Sequence, residues 1–198
     1  MINRTALTVF SQQFDDLLLI VSESNRRVTV DPIDRLFENY LNVFTKSYIV
    51  SARSILEAFI QDVLFSYVTV MEDRIIKSNI PRNIIMWSHG ETKKTSYRFE
   101  SYKTGIEKSN ITDEVSANFF KTIKIFEKIG IDLEGNANFA KYADFIGSTV
   151  DKRNKIVHHN DNASDISLTD VINIIEKFKE YAEAIFAVVE KSPHLSAL

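Results

Sequence analysis

The residues best suited to chemistry lie together in Asp151-Lys152-Arg153-Asn154-Lys155-Ile156-Val157-His158-His159-Asn160. On a helix, Asn154 and His158 are four apart and stack on one face. Arg153 and His158 are five apart, roughly 140° around the axis at about 100° per residue. Their side chains are long enough to converge where the helix ends or loosens at the histidines. Ile156 and Val157 fall on the opposite side, available to a core. Histidine titrates near neutrality, so it can take a proton from a 2′-hydroxyl or return one to a leaving oxygen. Arginine is always charged and forks onto phosphate oxygens, so it can stabilise charge that builds in a transition state. Such a pair could cut a phosphodiester without a metal. The bland alternative is a polar helix end, and Arg-x4-His alone is a short pattern.

The elements that must hold this segment read as helical. Leu7, Phe10, Phe14, Leu17, Leu18 and Val21 recur at helical steps from about Arg4 to Ser22. Asn25-Arg26-Arg27 interrupts that pattern, and Val28-Thr29-Val30 is a short β-like run or an extended connector. Asp31-Pro32 announces a helix start. A long pattern follows from about Ile33 to Ile76. Leu36, Tyr40, Val43 and Phe44 form one stripe, and Ile55, Leu56, Phe59, Ile60, Val63, Leu64 and Tyr67 a denser one. A straight helix of that length would overshoot an ordinary domain, so a break is expected near Thr45–Tyr48. Thr112 is read as the cap of a helix whose buried face is Val115, Phe119, Phe120, Ile123, Phe126 and Ile129, with Gly130 as its stop. The motif helix is expected from about Asn138 to His158. Ser167-Leu168-Thr169-Asp170 reads as a capping box opening a last helix through Val189.

Residues 77–111 read as one irregular insertion. Over 77–108, seven basic residues face three acidic ones, a local balance of +4. Trp87, His89, Tyr97, Phe99 and Tyr102 interleave with them. Phosphates want cations and unstacked bases want aromatic faces, so Lys93, Lys94, Arg98 and Trp87 are candidate RNA-binding residues. The alternative is a solvated connector packed onto the helices.

The 198 residues suit a single domain, and 44% apolar and 26% charged residues are ordinary values. The net charge of −3 means that any nucleic-acid contact must come from a local patch. The absence of cysteine excludes disulfides, thiolate zinc sites and thiol nucleophiles. No uninterrupted apolar run approaches the ~18 residues of a membrane span, and the N-terminus does not read as a secretory signal. The expected location is cytoplasmic, with no membrane association. There is no Gly-rich phosphate loop, no Gly-x-Ser-x-Gly elbow and no His-Glu-x-x-His. His158-His159 lacks a third ligand at a recognisable spacing, so neither metal nor cofactor is expected. His89 and His194 are isolated and read as surface residues.

An all-α chain with Arg153-Asn154-x-x-x-His158 late in its penultimate helix resembles the HEPN superfamily and its Arg-x(4–6)-His motif. Ser51-Ala52-Arg53-Ser54-Ile55-Leu56-Glu57-Ala58-Phe59-Ile60 resembles the early helix of that superfamily, with its Leu-Glu-aromatic signature. Together with Phe126–Ile131 before the motif helix and Ser167–Val171 after it, the arrangement is most similar to the RiboL-PSP-HEPN branch. The resemblance covers roughly 31–189. It implies a bundle of about five main helices. It also implies a metal-independent endoribonuclease for single-stranded or looped RNA, acting as a homodimer with one composite cleft. Many such proteins serve as toxins or in phage defence, beside an antitoxin or other partner protein. Carried over by position, Arg153 stabilises the phosphate and His158 is the general acid or base. Asn154 orients or binds, and Glu57 supports the site, by pairing with Arg153 or as a solvent-facing ion pair. His159 either shares the proton role or lies in the following loop; its bulk departs from the small residue that many relatives carry there. Two other readings stand beside the nuclease. One is a non-catalytic HEPN module that binds nucleotide, RNA or a protein and mainly dimerises. The other is an unrelated helical interaction domain.

Overall fold

The computed structural model describes residues 4–30, 34–91, 99–159 and 166–196, with the backbone alone over 153–159. Eight α-helices run through these residues: α1 (Thr5–Thr29), α2 (Arg35–Ser78), α3 (Arg82–Ser88), α4 (Lys108–Thr112), α5 (Phe119–Lys128), α6 (Ala137–Ala140), α7 (Ala143–His159) and α8 (Leu168–Glu190). A short 3-10 turn, Pro193–Leu195, follows. There is no strand among the described residues, and Pro81 and Ser101 form an isolated antiparallel bridge. The expected all-α architecture is the one observed.

The frame is the mutual packing of α1, α2 and α8. On α1 the predicted stripe Phe10, Phe14, Leu17 and Val21 is buried. On α8 the apolar positions at helical spacing, Val171, Ile174, Ile175, Phe178, Tyr181, Ile185, Phe186 and Val189, are all buried. Each large apolar side chain so buried contributes about 1.5–3 kcal/mol. Ser167 caps α8 as expected: its hydroxyl accepts from the Asp170 N–H at 3.1 Å, and Asp170 accepts from the Ser167 N–H at 2.8 Å. A second hub joins α5, α6, α7 and α8. There the Tyr181 ring lies 5.2 Å from Phe139, 5.8 Å from Tyr142 and 6.3 Å from Phe119.

Several local expectations are corrected. Helix α1 continues to Thr29, so Val28-Thr29 is helical rather than extended. Glu23 bonds Arg26 and Arg27 one turn on, at 2.7–3.0 Å, and the two guanidiniums hold its carboxyl down at about 2. Those cations also suit a helix C-terminus. The cap of α2 is Asp34, which accepts from the Leu36 N–H at 3.0 Å; Asp31-Pro32 lies outside the described residues. The irregular point of α2 is Tyr40 (φ −125°, ψ 17°), not Thr45–Tyr48. Thr45 is buried, and Phe44 stacks between Phe37 and Tyr48, which holds that stretch helical. Leu36, Tyr40 and Val43 face out, each more than half exposed.

Thr112 ends α4, and Asn118 caps α5 by accepting from the Lys121 N–H at 3.1 Å. Phe120 is exposed, since α5 starts later and turns that position outward. Gly130 does stop α5, at φ 77°. Its N–H bonds Glu127 O and the Ile131 N–H bonds Phe126 O, both at 3.0 Å, with Ile131 and Phe126 buried together. The motif helix begins later than expected, because α6 is a separate turn capped by Asn136. The insertion is not wholly irregular: it contains α3 and, at its end, α4. Helix α2 also contains an 18-residue window long and apolar enough to cross a membrane. An uninterrupted-run criterion passes over it because polar residues intervene. Here 39% of that window is buried, in a helix packed on α1 and α8.

Candidate functional site

Cross-links between helices fix the level at which the motif sits. Arg4 pairs with Glu190 and Asp15 with Lys179, so α1 and α8 are antiparallel. Ser24 bonds the Tyr48 hydroxyl at 2.7 Å, and Arg74 donates to the carbonyls of His194 and Leu195. Helices α2 and α8 are therefore parallel. Tyr142 donates to Glu180 at 3.1 Å, and the Lys152 charge helps to lower the Asp170 carboxyl below its ordinary range, after the bonds from Ser167. Helix α7 thus runs back along α8. The level of Lys152 is that of Asp170, Ser24 and Tyr48. Arg153, Asn154, His158 and His159 occupy the last turns of α7. Their side chains lie outside the described residues.

Glu57 lies further along α2, about 13.5 Å past Tyr48 and level with the start of α7. One carboxylate oxygen accepts from Arg53 Nε at 3.0 Å and from the Ala117 N–H at 3.0 Å. The Arg53 side chain is 11% exposed and that of Glu57 27%, so this is neither a solvent-facing pair nor a deeply buried one. Glu57 is committed to Arg53 and to the turn before α5. Ala117 is fully buried, and the adjacent Asn118 caps α5. Helix α5 packs on α7, and α2 touches α7 directly.

The insertion is rooted elsewhere. Arg82 N–H bonds Glu100 O at 3.0 Å, Tyr102 N–H bonds Ile80 O at 2.7 Å, and Ser101 bonds Asn79. Thr104 is held on Glu72 through its hydroxyl (2.6 Å) and N–H (2.9 Å). The hydroxyl bond is the main cause that holds the Glu72 carboxyl below its ordinary range. Trp87 on α3 is 74% exposed and Phe99 wholly so. Lys93, Lys94 and Arg98 lie outside the described residues. From Arg53 to the root at Asn79 the helix rises about 39 Å, at 1.5 Å per residue. The structure therefore sets Glu57 about two and a half helical turns above the level of Lys152 and roots the segment that bears Trp87 at the far end of α2.

The RiboL-PSP-HEPN family model matches residues 11–191, nearly the whole chain. The chain belongs to the RiboL-PSP-HEPN family. No curated protein and no solved structure matches it.

In this HEPN domain two residues escaped the sequence reading. Arg53 belongs to the early-helix signature, and its i,i+4 spacing to Glu57 is the usual mark of a helical ion pair. Ala117 carries no side-chain signal, since it takes part through its backbone N–H. His89 and His194 are exposed, as read. Among the described residues, no three His, Asp or Glu side chains cluster as a metal site would require.

Proposed function

We propose that this HEPN domain is an endoribonuclease that cuts single-stranded or looped RNA without a metal. Arg153 holds the phosphate and stabilises its developing charge. His158 moves the proton between the 2′-hydroxyl and the leaving oxygen. Asn154 orients the phosphate, and His159 shares the proton role. The observation that carries this reading is the placement of Arg153-x4-His158 on the last turns of α7, beside α2, in a chain matched by its family over 11–191. The active form is a homodimer whose two motifs share one cleft. Lys93, Lys94, Arg98 and Trp87 hold RNA at a distance from the cut, since the insertion is rooted at the other end of α2. The setting is a cytoplasmic toxin or phage-defence role, beside an antitoxin or other partner protein.

The test is cleavage of a mixed RNA in EDTA by the wild-type chain, Arg153→Ala and His158→Ala. Cleavage by the wild type alone supports the reading. Undiminished cleavage by both variants places the activity elsewhere. RNA binding without cleavage by the wild type turns the domain into a binding module.

A further inference from the structure

Helix α2 touches α7 directly, and the cross-links fix which part of it meets the motif. Tyr48 is level with Lys152, and α7 runs antiparallel to α2. Each step from Lys152 toward His159 is therefore one step from Tyr48 toward the start of α2. Asn154 comes level with Lys46, and His158 with Asn42. The flank of α2 turned to α5 and α7 is marked by Glu57, whose carboxylate accepts from the Ala117 N–H before α5, and α5 packs on α7. The other flank is marked by Tyr48 and Phe59, which meet Ser24 and Phe10 of α1. Lys46 stands eleven residues before Glu57, and Asn42 eleven before Arg53. Eleven residues are close to three full turns, so both fall on the α7 flank. Both follow Tyr40, in the regular part of the helix, and both are half-buried. A lysine so placed lays its stem along the surface and delivers its ammonium at the edge. Here it leans toward the start of α2, which is toward the level of His158. Going up this flank, the first carboxylate is Glu57, already engaged by Arg53 and the Ala117 N–H. Going down, Glu38 is about 12 Å from Lys46, near a screening length. Over 151–159, α7 adds Lys152, Arg153 and Lys155 against Asp151.

We propose that Lys46 and Asn42 form the strand-holding side of the Arg153–His158 site: the Lys46 ammonium takes an RNA phosphate next to the one that is cut, and the Asn42 amide donates to the same sugar–phosphate backbone. This rests on the nuclease reading. Lys46 meets a phosphate that does not react, so its contact is equally strong before and during the reaction. Such uniform binding lowers KM and leaves kcat alone. The contact also carries a signature of charge. Each phosphate neutralised on a single strand adds about 0.7 to the slope of log affinity against log salt.

The experiment compares wild type, Lys46→Gln, Lys46→Arg, Asn42→Ala and Lys124→Gln. Lys124 carries the same charge on α5, next to Ile125, which shares a cleft with Leu64 about 25 Å further along α2 than Ser47. The probe is a 2′-O-methyl RNA oligonucleotide, which lacks the attacking hydroxyl and reports binding alone, titrated between about 50 and 200 mM salt. Cleavage of the unmodified oligonucleotide gives kcat and KM, and thermal melts report folding. Lys46→Met, which keeps the length of the side chain, replaces Lys46→Gln should that variant not fold. The expected result is binding about tenfold weaker for Lys46→Gln at the lower salt, with a slope about 0.7 shallower. Its KM rises to match, and its kcat stays within about twofold. Lys46→Arg restores both affinity and slope, and Lys124→Gln changes neither. Asn42→Ala weakens binding without changing the slope, as a neutral donor. An unchanged slope in Lys46→Gln overturns the proposal. So does an equal fall in slope for Lys124→Gln, which makes the attraction a general one. A lowered kcat with binding intact also overturns it, since Lys46 would then act on the reaction. A wild-type chain that binds the analogue yet leaves RNA intact removes the nuclease reading, while the slope still decides for or against Lys46. A wild-type chain that binds no RNA overturns both.

Discussion

Helix α8 and the connection from α2 to α5 are held by different forces. Ten of the 23 residues of α8 are buried, so its place is set by one continuous apolar face. No residue of α3 is buried. As far as Lys108, the connection is pinned instead by discrete polar links: Asn79–Ser101, Arg82–Glu100, Thr104–Glu72 and Lys108–Asp62. A face fixed by area loses stability in proportion to what is removed. A segment fixed by pins loses its attachment locally while the bundle stays folded.

The largest effect expected from this contrast comes from emptying the shared core. Phe178→Ala, at a site 1% exposed, should lower the unfolding free energy by about 3–5 kcal/mol in urea titration. Ser167→Ala should cost about 1 kcal/mol by removing one half of the α8 capping box. It should also change the acid limb. The Asp170 carboxyl is lowered first by the Ser167 hydroxyl, so its contribution is full above the ordinary carboxylate pKa of about 3.9 and is lost as pH falls through the folded value. Removing the hydroxyl should make that loss shallower in melts between pH 2 and 5. Glu72→Gln should leave the melting temperature nearly unchanged yet speed limited proteolysis between 77 and 107, since it weakens one pin only. Smallest of all, Trp87→Ala should shift stability by less than about 0.5 kcal/mol, as an exposed side chain. If the insertion stacks on RNA bases, the same variant weakens oligonucleotide binding by about 1–3 kcal/mol.

The same contrast explains what could be read in the sequence. The faces of α1 and α8 and the second half of α2 were legible, because burial imposes a helical period on apolar residues from Phe10 to Val21, Leu56 to Tyr67 and Val171 to Val189. Ser167 and Gly130 were legible because each serves the backbone in a way few residue types can. The first turns of α2 misled, since Leu36, Tyr40 and Val43 have the period of a buried face and yet point outward. The helical end of α1 was missed because Glu23, Arg26 and Arg27 hold it by charge, which leaves no apolar pattern. In the candidate site, Glu57 was legible as an acidic residue on an early helix. Its partners were not, because one is a neighbour one turn away and the other is the backbone N–H of Ala117, sixty residues on.

The most direct test of the central claim is cleavage of a mixed RNA in EDTA by wild type, Arg153→Ala and His158→Ala, with melts to show that all three fold. The account predicts cutting by the wild type that is lost in both variants, while His158→Ala keeps its stability, as expected for a polar residue in the last turn of α7. Cutting that persists in both variants, or a folded wild-type chain that leaves RNA intact, would contradict it.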